Sequence, residues 1–247
     1  MSLTEQVAIP RKTMVLFFLV DTSGSMMGDK IGTVNSAVEQ ALVEIKDLSE
    51  SNADSQIKIA VLNFSTNAEW SSGTINGPIE AENFLWNDLD AGGVTDLGAA
   101  FKKLNENLSK NGFMKEASGS FAPAIFLMSD GEPTDDYKKA LTDLQKNNWF
   151  KKAIKVALAI GSDANTSVLE EFTGNSETVL EAKNKELLTK MIKFVSVRSS
   201  EVGSKSTKVG NEENGEMESK QDEFVEELKE FKVENASENW DDDDDEW

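Results

Sequence analysis

The sequence of 247 residues contains neither cysteine nor histidine. Without cysteine the chain forms no disulfide and offers no thiolate to a metal or a substrate. Without histidine it lacks the commonest general base, the Ser-His-Asp triad and imidazole metal ligands. A metal bound by this chain must therefore be held by oxygen atoms, which favours Mg²⁺, Mn²⁺ or Ca²⁺ over zinc or copper.

Positive charge is scarce as well, and long apolar segments are missing. The chain carries 45 acidic and 25 basic residues, a net charge of −20. Such an acidic chain is expected to bind neither nucleic acid nor anionic lipid through their phosphates. Residues 1–12, a polar lead-in, lack the apolar core of a signal peptide, and no later stretch is long enough to span a membrane. We therefore expect a cytoplasmic protein.

Apolar runs that alternate with helical stripes predict the fold of residues 13–198. Seven consecutive apolar residues from Met14 to Val20 are typical of a strand buried on both faces. Apolar residues then recur at steps of three and four, which predicts an amphipathic helix, and a later helix is expected to begin near Thr95. Repeated alternation predicts βαβ units in a doubly wound, mostly parallel α/β sheet with helices on both faces.

The composition changes in residues 199–247, for which we predict a disordered acidic tail. From residue 201 onward there are 18 acidic and five basic residues. Within this tail Phe224, Leu228 and Phe231 recur at helical spacing and indicate a short helix near 219–233. That helix is either a docking motif or a solvated, fraying segment.

The last residues of the tail combine aromatic side chains with a run of acid. Trp240 and Trp247 bracket five aspartates and Glu246. This pattern favours a recognition tail that makes a second contact with a partner. A competing hypothesis is that the tail supplies a carboxylate to the chain's own metal site and so inhibits it.

Oxygen-bearing side chains follow two of the predicted strands. Asp21, Ser23 and Ser25 stand at positions i, i+2 and i+4, and Gly24 lets the loop curl. Asp130 follows another apolar run. In doubly wound sheets ligands bind outside the carboxyl ends of the strands, where the strand order reverses. Neighbouring strands would bring these oxygens together for a hard divalent cation, although each residue taken alone is also typical of a cap or turn.

Three segments, in this order, resemble the motifs of von Willebrand factor A domains. Residues 21–25 read Asp-Thr-Ser-Gly-Ser, residues 92–98 read Gly-Gly-Val-Thr-Asp-Leu-Gly, and residues 129–134 read Ser-Asp-Gly-Glu-Pro-Thr. They resemble the DxSxS signature, the threonine loop and the later aspartate motif that form the family's metal-ion-dependent adhesion site (MIDAS). The resemblance implies that a metal is surrounded by Asp21, Ser23, Ser25, Thr95 and Asp130.

The same resemblance implies a metal-dependent protein-binding module rather than an enzyme. In this family the serines, and in some states the threonine, ligate the metal directly, the aspartates act through water, and an open position accepts an acidic side chain of a partner. Mg²⁺ is expected because it retains several waters, with Mn²⁺ or Ca²⁺ as alternatives. The motifs are most similar to the bacterial tellurite-resistance TerY-like branch. That branch implies stress-response or phosphorylation-signalling partners, including kinase- or phosphatase-like proteins.

Two other functions stay open at this point. One is Mg²⁺-dependent phosphoryl transfer through an aspartyl nucleophile. That chemistry usually needs a second acid two residues after the nucleophile, where this chain has Ser23, and a lysine over the phosphate. No phosphate-binding GxxxxGK[ST] loop follows. The other is an assembly or chaperone-like subunit that acts through the acidic tail.

Overall fold

The computed structural model describes residues 11–52, 55–115, 120–182, 184–204 and 220–235, which form one sheet flanked by helices. The strands are β1 (Lys12–Asp21), β2 (Ser55–Phe64), β3 (Ala68–Trp70), β4 (Ile79–Glu80), β5 (Ala124–Ser129), β6 (Ile154–Ile160) and β7 (Val179–Ala182). The helices are α1 (Asp29–Ser51), α2 (Leu97–Asn107), α3 (Tyr137–Gln145), α4 (Asn148–Lys152), α5 (Thr166–Thr173), α6 (Lys185–Ser204) and α7 (Lys220–Asn235).

The strand order is β3-β2-β1-β5-β6-β7, and β4 also pairs with β2. All pairs are parallel except those of β3 and β4 with β2. The chain passes from β1 to β2 on one side and later returns to β5 on the other side of β1. The order therefore reverses between β1 and β5, and the predicted doubly wound sheet is confirmed.

Alternate residues of β1 face two apolar layers on opposite sides of the sheet. Leu16, Phe18 and Val20 pack in the layer that contains residues of α1 and α6. Phe17 and Leu19 pack in the layer that contains residues of α2, α3 and α5. Because both faces are covered, the strand is an uninterrupted apolar run rather than an alternating one.

The predicted tail helix occupies Lys220–Asn235 as α7, and it is packed against the domain. The Gln221 side chain accepts a hydrogen bond from the Lys155 backbone N–H (2.8 Å) and donates one to the Lys155 carbonyl (3.1 Å). Phe224 and Leu228 are buried in the same layer as α1 and α6. The apolar face of α7 is covered by the chain's own domain, so it is neither solvated nor free to dock a partner.

The helix α7 lies at the amino-terminal end of the sheet. Lys155 is the second residue of β6, and Lys232 donates a hydrogen bond to the carbonyl of Glu177, which shortly precedes β7. The prediction of a disordered tail from residue 199 is wrong for residues 199–204, which form the end of α6 with Ser199 and Ser200 buried. The predicted disorder in residues 205–219 and 236–247 lies outside the described residues. In the part of the chain that the structure describes, no helix is long and apolar enough to cross a membrane.

We expect that Phe224→Ala loosens α7, because truncating a buried phenylalanine costs about 3–5 kcal/mol. Native-state hydrogen exchange of the α7 amides should therefore become much faster. The matched control is Val233→Ala on the same helix, whose side chain is 75% exposed. Equal exchange rates in the two variants would contradict the packing described here.

Candidate metal centre

β1 ends at Asp21, whose carboxylate is fully buried at the point where the strand order reverses. Its Oδ1 accepts a hydrogen bond from the Ser23 backbone N–H (2.9 Å), and its Oδ2 accepts one from the Ser129 hydroxyl of β5 (2.6 Å). Burial raises the pKa of Asp21, the hydrogen bonds from Ser129 and Ser23 lower it, and the nearby charge of Asp130 raises it. The pKa therefore lies above its ordinary value, and the two carboxylates share one crevice.

The two serines of the first motif lie side by side in the loop after β1. The Ser23 and Ser25 hydroxyl oxygens are 3.1 Å apart. A short 3-10 turn, Gly24–Met26, shapes the loop, and the buried Met26 side chain anchors it in the core. Ser23 is buried while Ser25 is exposed, so the hydroxyl pair runs from the floor of the crevice towards its mouth.

Backbone hydrogen bonds join the loop after β1 to the threonine loop. The Gly92 N–H donates to the Thr22 carbonyl (2.8 Å), and the Gly24 N–H donates to the Gly93 carbonyl (3.1 Å). Gly93 has a φ of +87°, and a Cβ there would lie 2.5 Å from the Thr66 hydroxyl oxygen. Only glycine fits this position without strain, and the close approach packs the threonine loop against the turn after β2.

Thr95 is buried between the other two loops. Its N–H donates to the Thr134 hydroxyl (3.1 Å), and its carbonyl accepts from the Thr134 N–H (2.9 Å). The helix expected near Thr95 begins instead at Leu97. Its first turn is capped from another loop by the Asp135 carboxylate, which accepts from the Gly98 N–H (3.1 Å).

Asp130 follows β5 and is only 2% exposed. Its backbone carbonyl accepts from the Asn165 N–H (2.7 Å), and its Oδ2 lies 3.4 Å from the Lys30 ammonium. Its Oδ1 is buried and has no hydrogen-bond partner among the described residues. Buried polar atoms in folded proteins are nearly always satisfied, so this oxygen fits a ligand of a bound cation or of its water shell.

The predicted site residues thus lie on three loops that the structure joins to one another. Across the described residues no three Asp, Glu, His or Cys side chains form a group that could hold a metal. A cation at this place would therefore depend on hydroxyl oxygens beside the carboxylates of Asp21 and Asp130. Such a mixed set of oxygen donors suits Mg²⁺, which needs few protein ligands.

Sequence reasoning gave no role to three side chains that shape this centre: Lys30, Ser129 and Asp135. Ser129 was visible as the residue before Asp130 in its motif. Lys30 is the only basic residue between Lys12 and Lys46, and this isolation could have marked it as a candidate for the site. The cap by Asp135 joins two separated loops, so local sequence gives no sign of it.

A family model of the von Willebrand factor type A (VWA) domain matches residues 16–194. The chain belongs to this family. It is 25% identical over 199 residues to the uncharacterized protein YfbK of Escherichia coli (strain K12), a match that covers 73% of this chain and 32% of YfbK. The chain therefore spans about a third of the length of this curated relative.

Two solved structures illustrate the shared fold. Proximal thread matrix protein 1 from the mussel byssus, with a zinc-occupied MIDAS motif, superposes with a TM-score of 0.57 at 16% identity, over 77% of this chain and 48% of that protein. A von Willebrand factor type A protein from Catenulispora acidiphila gives a TM-score of 0.56 at 16% identity, over 76% and 43% of the two chains.

We expect Asp21→Asn to leave the metal-free VWA domain at least as stable as the wild type, because the amide keeps the shape without a buried charge. Because burial raises the pKa of Asp21, the folded state disfavours the charged carboxylate, and removing the charge should not destabilise the domain. Ser129→Ala should instead cost about 1–3 kcal/mol by removing a hydrogen bond from the buried carboxylate. Urea denaturation in chelator measures both.

The pH dependence of stability gives a second readout on the same variants. A raised pKa favours the folded state at acid pH, and this contribution is lost as the pH rises from about 3.8 through the pKa of the folded protein. Asp21→Asn should lack this dependence. A loss of several kcal/mol in Asp21→Asn would show instead that the fold itself requires the carboxylate.

Proposed function

We propose that this VWA domain is a metal-dependent protein-binding module and not an enzyme. In this proposal a divalent cation, Mg²⁺ in preference to Mn²⁺ or Ca²⁺, is held by Asp21, Ser23, Ser25, Thr95 and Asp130. When bound, the cation offers a coordination position to a carboxylate of a partner protein. The observation that carries the proposal is the buried Asp130 Oδ1, unpartnered within the described part of the chain, in the crevice that also holds Asp21.

The charge balance of the centre supports this role. Two carboxylates match the charge of a divalent cation, and the three hydroxyls add oxygen donors without adding negative charge. The Asp21 oxygens are already engaged by Ser23 and Ser129, so that carboxylate is suited to an indirect contact through water. The exposed Ser25 stands at the side where a partner approaches.

Apolar side chains at the mouth of the centre support a protein partner. Met27 is 64% exposed and Val94 is 46% exposed. Met27 directly follows the 3-10 turn of the first loop, and Val94 lies within the threonine loop. The Gly24–Gly93 hydrogen bond joins these two loops. Exposed apolar side chains at this place would suit a partner whose acidic residue has apolar neighbours.

Phosphoryl transfer is the weaker alternative. A nucleophilic carboxylate must reach its substrate, but Asp21 is fully buried and both of its oxygens accept hydrogen bonds. The position two residues later is Ser23, whose hydroxyl lies beside that of Ser25. An assembly or chaperone-like role through the acidic tail is a separate alternative, which deletion of the tail tests below.

The cellular setting that we propose is cytoplasmic. The likeness of the three motifs to the TerY-like branch supports a place in a tellurite- or stress-response assembly with kinase- or phosphatase-like partners.

Asp21→Ala and Thr95→Ala should weaken Mg²⁺ or Mn²⁺ binding at least tenfold, because each removes an oxygen donor. Isothermal titration measures the affinity, and a pull-down from the native cell with Mg²⁺ or with chelator measures partner capture. Asp143→Ala is the matched control, since this acidic residue lies on α3, away from the three loops. Partner capture that resists both chelator and Asp21→Ala would overturn the proposed function.

A deletion that tests the acidic tail must leave α7 intact. Truncation within α6 would also remove the buried Phe224, so the informative deletion is that of residues 236–247. We expect this deletion to leave the affinity for a short acidic peptide unchanged at low and moderate salt and to weaken capture of the native partner. Tighter peptide binding after deletion would show that the tail competes for the metal centre in cis. Capture that persists after Asp21→Ala but needs the tail would favour the assembly role.

A further inference from the structure

We propose that Lys30 is a built-in counter-cation that lowers the affinity of the VWA metal centre for its divalent ion, and that Asp163 sets the strength of this effect. The inference rests on the proposed function, because it assumes that the centre holds a cation. It concerns two residues that the MIDAS motifs do not include.

The Lys30 side chain is held in place by two segments, the loop after β5 and the turn after β6. Lys30 lies in the first turn of α1, and its Nζ is 3.4 Å from Asp130 Oδ2 and 2.8 Å from Asp163 Oδ1. Its stem crosses the turn after β6, where a Cβ on Gly161 would lie 2.6 Å from Lys30 Cε. Only 14% of the side chain is exposed. Lysine side chains usually keep their ammonium in water, so this placement is a specific feature of the fold.

The two oxygens of Asp130 have different surroundings. Oδ2 faces the Lys30 ammonium, while Oδ1 is buried without a partner among the described residues. One carboxylate is thus shared between a fixed positive charge and the metal centre. A positive charge a few ångströms away opposes the entry of a divalent cation, and this opposition is strong where the surroundings are partly buried.

Asp163 lies on the other side of the ammonium and differs from Asp130 in exposure. Its side chain is 74% exposed, whereas that of Asp130 is 3% exposed. Asp163 draws the ammonium towards solvent and neutralises part of its charge. Without Asp163, Lys30 would pair more fully with Asp130 and compete more strongly with the cation.

The test is a set of four full-length proteins titrated with Mg²⁺ and Mn²⁺ by calorimetry: the wild type, Lys30→Met, Asp163→Asn and the double variant. Lys30→Met should bind the metal about tenfold tighter. Asp163→Asn should bind about threefold to tenfold more weakly. The double variant should match Lys30→Met, because Asp163 acts through the lysine. Lys30→Arg retains the charge and serves as the control, with an affinity close to that of the wild type.

Each outcome bears on a separate claim. Unchanged or weaker metal binding in a folded Lys30→Met would overturn the inference and leave Lys30 as a structural tie between α1 and β6. If Asp163→Asn also weakens metal binding in the Lys30→Met background, Asp163 does not act through the lysine, and its proposed role is overturned. Should Lys30→Met fail to fold, unchanged binding in Asp163→Asn alone would overturn the proposal. Absence of metal binding in every protein would overturn the proposed function together with this inference.

Discussion

The buried carboxylate of Asp21 is the constraint on which the rest of the crevice depends. An ionised group without water is very costly unless hydrogen bonds satisfy it, and here one donor comes from the loop after β1 and the other from β5. The Ser129 hydroxyl can reach Asp21 only because β1 and β5 are neighbours. The chemistry of the crevice therefore depends on the order of the strands, since any arrangement that separates β1 from β5 removes the hydrogen bond from Ser129 to Asp21 Oδ2.

A second carboxylate, Asp130, in the same crevice creates an electrostatic problem that Lys30 reduces. Two nearby negative charges repel each other, and the raised pKa of Asp21 reflects burial first and then that repulsion. The Lys30 ammonium offsets part of this charge in the folded chain. Lys30 thus reduces the repulsion between the two carboxylates when no metal is bound. An entering metal must compete with this same ammonium.

Motifs that are local in sequence made the fold and the candidate residues predictable. Asp21, Ser23 and Ser25 stand within five residues, and an unbroken apolar run identifies the central strand before them. What could not be predicted depends on contacts between distant segments. The Asp135 cap on α2 and the ion pair of Lys30 with Asp130 arise only after three loops meet.

The packing of α7 could not be predicted from the sequence either. It also determines how far the tail starts from the candidate metal centre. Phe224 and Leu228 at helical spacing predict an apolar face, but the spacing does not say which surface covers it. In the structure α7 lies at the amino-terminal ends of the strands, and the candidate metal centre lies at their carboxyl ends. A ten-residue strand such as β1 spans about 33 Å, while the twelve residues after Asn235 reach about 40 Å when fully extended. A carboxylate of this segment would therefore need a nearly straight path along the domain to reach the crevice. The helix α7 and the candidate metal centre are thus separated by the length of the central strands, a separation that the spacing of apolar residues in the sequence does not reveal.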